Sequence, residues 1–485
     1  MMEGGFILAI DQSTSGTKAL VLDSRAAIVA RADKAHEQKI SPEGWISHDP
    51  VEIYHATLAA VREAAAKAGI DKSAILGAGI SNQRETALVW DKSSGLPVGD
   101  SVVWQCARGA SVCENLSEYA DEVRSATGLR LSPYFSAAKI AWILEHIKGG
   151  ATGNLCAGTI DAWLVYRLSG NCKTDYSNAS RTQLFNISRL EWDRNICGLF
   201  GIDLSILPEV CDSNGDFGST DFEGFLPRPV PIRAVMGDSH GALFAQGCLQ
   251  RGTGKATYGT GSSVMLNIGE APVFCKNVVT SLAWGISGKV NYVLEGNINY
   301  TGAVIKWLVD DVKLIRSSGE AGILAARANP ADRSYLVPAF SGLGAPYWAS
   351  GARAVLYGMT RTTGKAEIVR AAEESIAYQI ADVIRAIAEE SGIALKELCV
   401  DGGPTRDTYL MQFQSDILNI PLSVPAYEEL SALGAGYMAG IALGFYTSAV
   451  LREAARTRFE PSMKEAERKK RIAGWKEAVR LATGG

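Results

Sequence analysis

At 485 residues the chain is too long for one hydrophobic core, so two or three domains are expected. Hydrophobic content of 47% with 21% charged residues describes an ordinary soluble globular protein, and a formal net charge of −4 leaves no basic footprint for nucleic acid. Nine cysteines without CxxC pairs or zinc-type spacing, and an N-terminus without a charged region or cleavage site, point to reduced thiols in the cytoplasm.

Phe6 to Ile10 reads as a buried strand closed by Asp11. A small polar turn, Gln12 to Thr17, leads into a second apolar run, Ala19 to Leu22. By itself this is a tight hairpin. It also has the form of a phosphate turn, whose backbone N–H groups and hydroxyls face an anion. Asp11 is then placed to hold Mg²⁺ and Lys18 to reach phosphate oxygens. Ile28 to Ala32 makes a third strand, and Asp49-Pro50 opens a helix over 51–68. Ile75 to Ile80 is another buried strand. It runs into Arg84-Glu85, and Ala87 to Asp91 follows as a further strand. Strands alternating with helices predict an α/β sheet with helices on its faces. Ligands in such sheets lie beyond the carboxyl ends of strands, where Asp11 and Arg84-Glu85 fall.

Arg84-Glu85 reads either as a solvated loop or as a clamp for a polyhydroxylated ligand, one group donating and the other accepting. Trp104 and Tyr134 are candidates for an apolar wall and a hydroxyl, or equally for core. A helix follows Tyr134 with Ser136 as N-cap, and Asp161 reads as a second N-cap. Ile232 to Met236 is a strand that ends at Asp238, a second carboxylate at a strand terminus. His240 has no second histidine at metal spacing and reads as a structural neighbour.

Gly247 to Gly254 marks a boundary, giving domains 1–248 and 249–485. After it, Ala256 to Ser263 repeats the opening logic of strand, Gly/hydroxyl turn and apolar run, a hint of internal duplication. A long amphipathic helix spans 366–390, with Gly392 as its cap, and Leu398 to Asp401 is a strand ending in Gly402-Gly403. Leu430 to Leu451 carries no charge over 22 residues and imitates a membrane span. Ala, Gly, Ser and Thr fill about half of it, which weakens transfer into lipid, so a close-packed internal helix is expected. Lys464 to Lys476 reads as a solvated terminal helix. No P-loop is present, and no GxGxxG follows a strand.

Several segments in one order carry a family resemblance. Tyr134 to His146 fits one signature; Ala354 to Glu374 fits a second, except that Glu373 stands where an apolar residue is usual. Asn82 to Thr86, Trp104-Gln-Cys, Asn178 to Thr182, Tyr258 to Gly261, Gly342 to Trp348, Met411 to Asp416 and Ala473 to Lys476 agree as well. The chain resembles the FGGY carbohydrate kinases of the actin/sugar-kinase superfamily, and among them the glycerol kinases. The resemblance implies an α/β protein of two ribonuclease-H-like domains, of the actin/hexokinase superfamily, with ATP and substrate in an interdomain cleft. It places Asp11, Thr14, Ser15 and Lys18 on a first phosphate loop, with Mg²⁺ at Asp11. Thr260 and Gly261 fall on a second phosphate loop, and Gly302, Lys306, Gly403 and Asp407 on nucleotide positions. Arg84, Glu85, Trp104, Tyr134, Asp238, Ser239 and Ser263 fall on the polyol site, with Asp238 as general base.

Lys18 replaces a usual Arg, Lys306 a Gln, Asp407 an Asn, and Ser239-His240 a Gln pair. Ser263 replaces a bulky Phe, which implies room for a tetritol, pentitol or ketopentose such as xylulose as well as glycerol. The loop Glu223 to Pro229 lacks the basic pattern tied to sugar-bisphosphate inhibition in some glycerol kinases. The implied partners are ATP and a small polyol or sugar, without nucleic acid or membrane; a homodimer or higher homo-oligomer is left open. A nucleotide-gated actin- or chaperone-like module is the reading from a different class, and the polyol-site residues argue against it.

Overall fold

The computed structural model describes residues 4–147, 154–452 and 455–484. Its first half is organised by the opening hairpin. β1 (Phe6–Gln12) and β2 (Gly16–Leu22) pair antiparallel, with Asp11 opposite Lys18, and β3 (Ile28–Ala35) extends the ribbon. α1 (Pro50–Ala68) covers one face. It starts where Asp49 accepts the Val51 N–H at 2.9 Å and ends at Gly69, whose φ of 62° is left-handed. β4 (Ile75–Asn82) returns parallel to β1. A second, five-stranded sheet includes Ala87–Asp91 and Leu155–Thr159, and α2 (Ser136–His146) lies between these two strands in the chain. β5 (Ser219–Thr220) and β6 (Val230–Gly237) finish the first sheet, and α3 (Asp238–Ala245) leaves directly from the end of β6. The strand order is β5-β6-β4-β1-β2-β3.

The second half repeats this plan. β7 (Gly254–Tyr258) and β8 (Ser262–Gly269) form its hairpin, and β9 (Val279–Ile286) and β10 (Lys289–Ile298) widen it. α4 (Gly302–Asp310) and the long α5 (Lys365–Ser391) precede β11 (Leu398–Asp401), parallel to β7. Then come α6 (Thr408–Leu418), β12 (Leu422–Pro425), α7 (Leu430–Ala442), β13 (Arg456–Phe459) and α8 (Glu465–Ala482). The order is β9-β10-β8-β7-β11-β12-β13. In each half an antiparallel hairpin feeds a parallel pair, so the duplication hinted at by the two Gly/hydroxyl turns is visible in the topology.

The glycine-rich segment near residue 440 is α7, and it is buried rather than membrane-spanning. No helix among the described residues is long and apolar enough to cross a membrane. α7 packs on the first sheet and on α3. A Cβ on Gly434 would lie 2.0 Å from the Gly241 carbonyl oxygen, and one on Gly79 would lie 2.2 Å from that of Ala435. Only bare backbone allows that approach. One apolar cluster spans both halves here, joining Ile7, Met236 and Leu243 to Met265, Val293 and Leu433.

Four local expectations need correction. Ser136 is the first helical residue of α2, not its cap; its hydroxyl donates to the Glu85 carbonyl at 3.1 Å. Asp161 lies inside its helix, Ile160–Ser169, buried and accepting from Thr174 Oγ1 at 2.6 Å. α8 is docked rather than merely solvated: Trp475 is buried and donates to Asp382 at 2.6 Å. The cysteines are not all free thiols, because Cys156 and Cys172 form a disulfide; the other seven are free.

Candidate active site

Three parallel strands set the site. In β1 and β4, Asp11 stands opposite Ser81; in β6 and β4, Gly237 stands opposite Asn82. Their carboxyl ends therefore present Asp11, the loop Gln83 to Thr86, and Asp238 at one edge. Asp11 is buried and accepts from Ser81 Oγ at 3.1 Å. Burial pushes its carboxyl up to about 7 against the pull of Lys18, and Asp238 adds to the rise. A buried carboxylate so poor in protein donors suits a hard cation. No cluster of three or more His, Cys, Asp or Glu that could hold a metal occurs among the described residues. Asp11 is the residue here whose chemistry would suit Mg²⁺.

Arg84 and Glu85 are each held by a partner far along the chain. The Arg84 guanidinium grips Glu295 of β10 at 2.9 and 2.8 Å, and its Nε lies 3.3 Å from Asp238. Glu85 has a left-handed φ of 63° and accepts from Arg181 Nε at 2.6 Å. Arg181 in turn lies 2.9 Å from Glu295. The Glu85 and Glu295 side chains are 2% and 0% exposed, whereas that of Asp238 is 37% exposed. The two arginines hold the Glu295 carboxyl well below its ordinary range, although burial opposes them. Ser263 faces the same group: its Oγ donates to Glu295 Oε1 at 3.0 Å. Ser239 is the second residue of α3 and its backbone N–H turns to the Asp238 carboxylate. His240 is buried with both ring nitrogens unpartnered, and burial with the Arg84 charge drives its pKa well down.

Trp104 and Tyr134 meet edge to face with ring centroids 5.6 Å apart. Trp104 Nε1 donates to Thr14 Oγ1 at 3.0 Å, which ties this wall to the first turn. Lys139, buried on α2, donates to the carbonyls of Pro133, Tyr134 and Phe135 and so fixes the Tyr134 turn. Ser15 lies at the exposed tip of the first turn. Lys18 is near Asp11, but its ammonium is bound to Glu429 at 2.7 Å.

In the second half, Thr260 is exposed, and the turn around it receives the start of α4. Gly259 accepts from the Gly302 N–H at 2.9 Å, and Thr260 from the Thr301 and Ala303 N–H groups. A Cβ on Gly402, whose φ is 100°, would lie 1.9 Å from the Tyr258 carbonyl, so the Gly402-Gly403 turn closes on the same place. Gly403 itself is open to solvent. Two nucleotide candidates have protein partners of their own. Lys306 is exposed and paired with Asp310 at 2.6 Å, an ordinary i,i+4 bridge. Asp407 spends one carboxylate oxygen on the Tyr409 and Leu410 N–H groups as the cap of α6. An open groove of about 660 Å³ beside α1, lined by Lys34, His55 and Arg62 among others, shares none of these residues.

Glu295 and Arg181 are the residues that sequence reasoning missed. A signal existed for each: a lone carboxylate inside the apolar strand Val290 to Ile298, and an arginine in the Asn178 to Thr182 segment.

The chain matches the FGGY family of carbohydrate kinases, N-terminal domain, over residues 6–245, and the corresponding C-terminal domain over residues 254–443. It belongs to the FGGY carbohydrate kinases. A glycerol kinase of Alkaliphilus oremlandii is 44% identical to it, covering 98% of this chain and 97% of the relative. One from Xanthomonas axonopodis pv. citri is 43% identical over 100% and 99%. Among solved structures, Plasmodium falciparum glycerol kinase with ADP superposes with a TM-score of 0.93 at 34% identity, covering 99% of this chain and 98% of that one. Xylulose kinase from Lactobacillus acidophilus gives 0.90 at 21% identity over the same shares, a likeness of fold. This FGGY kinase is thus a glycerol kinase-like phosphotransferase built on two actin-like α/β domains. Membership removes the nucleotide-gated module as a reading.

Proposed function

We propose that the protein transfers the γ-phosphoryl group of ATP to a primary hydroxyl of glycerol, with Asp238 as general base. One observation carries this: Asp238 is the carboxylate of the buried charge cluster that keeps solvent exposure, at 37%, while Arg84 steadies it from 3.3 Å. The substrate hydroxyl donates its proton to Asp238, and its oxygen attacks phosphorus as the bond to the ADP oxygen breaks. N–H groups of Arg84 not taken by Glu295 hold a neighbouring hydroxyl, and Trp104 and Tyr134 cover the C–H face. Thr14, Ser15, Thr260 and Gly261 supply hydroxyls and backbone donors to the phosphates, and the Gly302 and Gly403 turns flank the nucleotide. Asp11 would hold Mg²⁺, which would supply charge neutralisation at the phosphoryl group when bound. The division falls between residues 248 and 249, in the linker that joins α3 to β7.

Ser263 favours a second reading within the same reaction, in which a tetritol, pentitol or ketopentose replaces glycerol. A coupled assay of ADP release across triols, tetritols, pentitols and ketopentoses decides between them. Asp238→Asn is expected to keep nucleotide affinity and lower kcat by about 100-fold or more on the best substrate. Near-normal turnover in that variant would remove Asp238 from the chemistry.

A further inference from the structure

We infer that Glu295 is a positioning residue for phosphoryl transfer, a buried anchor on the second half that holds Arg84 off the base and in place for substrate. This rests on the roles proposed above for Asp238 and Arg84. Glu295 sits on β10 across from Met265, and its side chain leaves the sheet on the face turned toward the first half. It is fully buried, and its two oxygens are engaged by three groups: the Arg84 fork, Arg181 and the Ser263 hydroxyl.

A guanidinium prefers a carboxylate that it can grip with two parallel N–H bonds. Two acidic side chains touch Arg84, Glu295 and Asp238; Glu85, also close to it, is taken by Arg181 Nε at 2.6 Å. The first takes the fork at 2.8 and 2.9 Å; the second meets only Nε, at 3.3 Å. Without Glu295, the carboxylate left for the fork is Asp238. A bidentate grip there would stabilise the anion, lower its basicity and turn it away from an incoming hydroxyl. Arg84 would also leave the place where it meets substrate. Arg181 adds a constraint, since it ties Glu295 to Glu85 and through it to the loop that carries Arg84. The anchor belongs to one half of the chain, and the two arginines it holds belong to the other. The site is therefore assembled only when the two halves pack along this line.

The test is a set of four variants, Glu295→Gln, Glu295→Asp, Asp238→Asn and the double variant Asp238→Asn with Glu295→Gln, assayed with ATP and the best polyol of the panel. ADP affinity is measured separately by calorimetry. Glu295→Gln is expected to lower kcat about 100-fold and raise the polyol KM about tenfold, with ADP affinity within about twofold of the parent. Glu295→Asp keeps the charge but is one methylene short of spanning both arginines; it is expected to recover about tenfold of the lost kcat. In the Asp238→Asn background, Glu295→Gln should cost little further kcat, because the group it protects is gone.

If Glu295→Gln does not fold, Glu295→Asp decides: reduced kcat with intact ADP affinity supports the inference, and parental kcat overturns it. Loss of polyol and ADP binding together would show a merely structural residue and overturn it as well. Normal turnover in the Glu295 variants beside a dead Asp238→Asn sinks the anchor alone, whereas normal turnover in Asp238→Asn sinks the functional reading on which it rests.

Discussion

Ser263 shows how a single side chain is redefined by its partner. Its hydroxyl proton is spent on Glu295 at 3.0 Å, so it can offer a substrate oxygen only its lone pairs. Its small volume matters more. On the proposed polyol site, a ring at this position would cover the C–H edge of a three-carbon substrate, and Ser would leave that space open. Ser263→Phe is expected to move the kcat/KM ratio of glycerol to longer polyols toward glycerol by about 10- to 200-fold, the usual range for gain or loss of an apolar contact. Measuring that ratio in parent and variant checks it, and an unchanged ratio means that Ser263 does not set the pocket length. Arg84 and Glu85 teach the same point, since each adjacent charge is answered by a distant partner rather than by the other.

At the scale of elements, helices and strands follow their local patterns while their ends answer to neighbours. α1 runs Pro50–Ala68, one residue from the 51–68 that the sequence pattern predicts, with Asp49 and Gly69 as its caps. Ser136 and Asp161 have cap chemistry too, but tertiary partners claim their side chains, Glu85 in one case and Thr174 in the other. α7 is the element whose composition misleads most, because glycine spacing that suits a membrane dimer also suits a helix wedged between a sheet and α3. Gly434→Ala would force its Cβ into the Gly241 carbonyl, and neither backbone can move without its own layer. A loss of about 1–3 kcal/mol or more is expected, read as a lower thermal midpoint. Gly198→Ala, where nothing lies within 4 Å of the added carbon, is the control and should leave the midpoint unchanged or slightly raised.

At the scale of the whole molecule, burial of one unusual carboxyl links stability to pH. Glu373 stands on α5 where an apolar residue is usual, with one oxygen buried and unpartnered. Burial, with the nearby Asp407 charge, pushes its pKa from 4.5 up to about 8. Between these values the folded chain holds a proton that the unfolded chain has released. The unfolded state therefore binds fewer protons, and stability falls as pH rises through the window from about 4.5 to 8. Glu373→Gln keeps the shape without the charge. It is expected to add on the order of 2–4 kcal/mol at pH 8 and little at pH 5, visible as a thermal midpoint gain confined to the alkaline side. Equal gains at both pH values would mean that packing, not ionisation, governs the site.

The opening hairpin, the strands leading to Arg84 and Asp238, the helices α1 and α5, the two Gly/hydroxyl turns and the family could be read from the residues alone, because periodicity, caps and turn chemistry act over a few positions; β9 and β10, the second of which carries Glu295, could not. Asp11 and Asp238 were legible for the same reason: a carboxylate closing an apolar strand is a local pattern. What Arg84 holds was not legible. Its partner lies 211 residues away on a strand of the other half, and no local preference of either segment selects it. Tertiary packing decided that pairing, along with the burial of Lys139 and Glu373. Propensity acts along the chain, whereas a charge is answered by whichever face the fold brings within hydrogen-bonding reach.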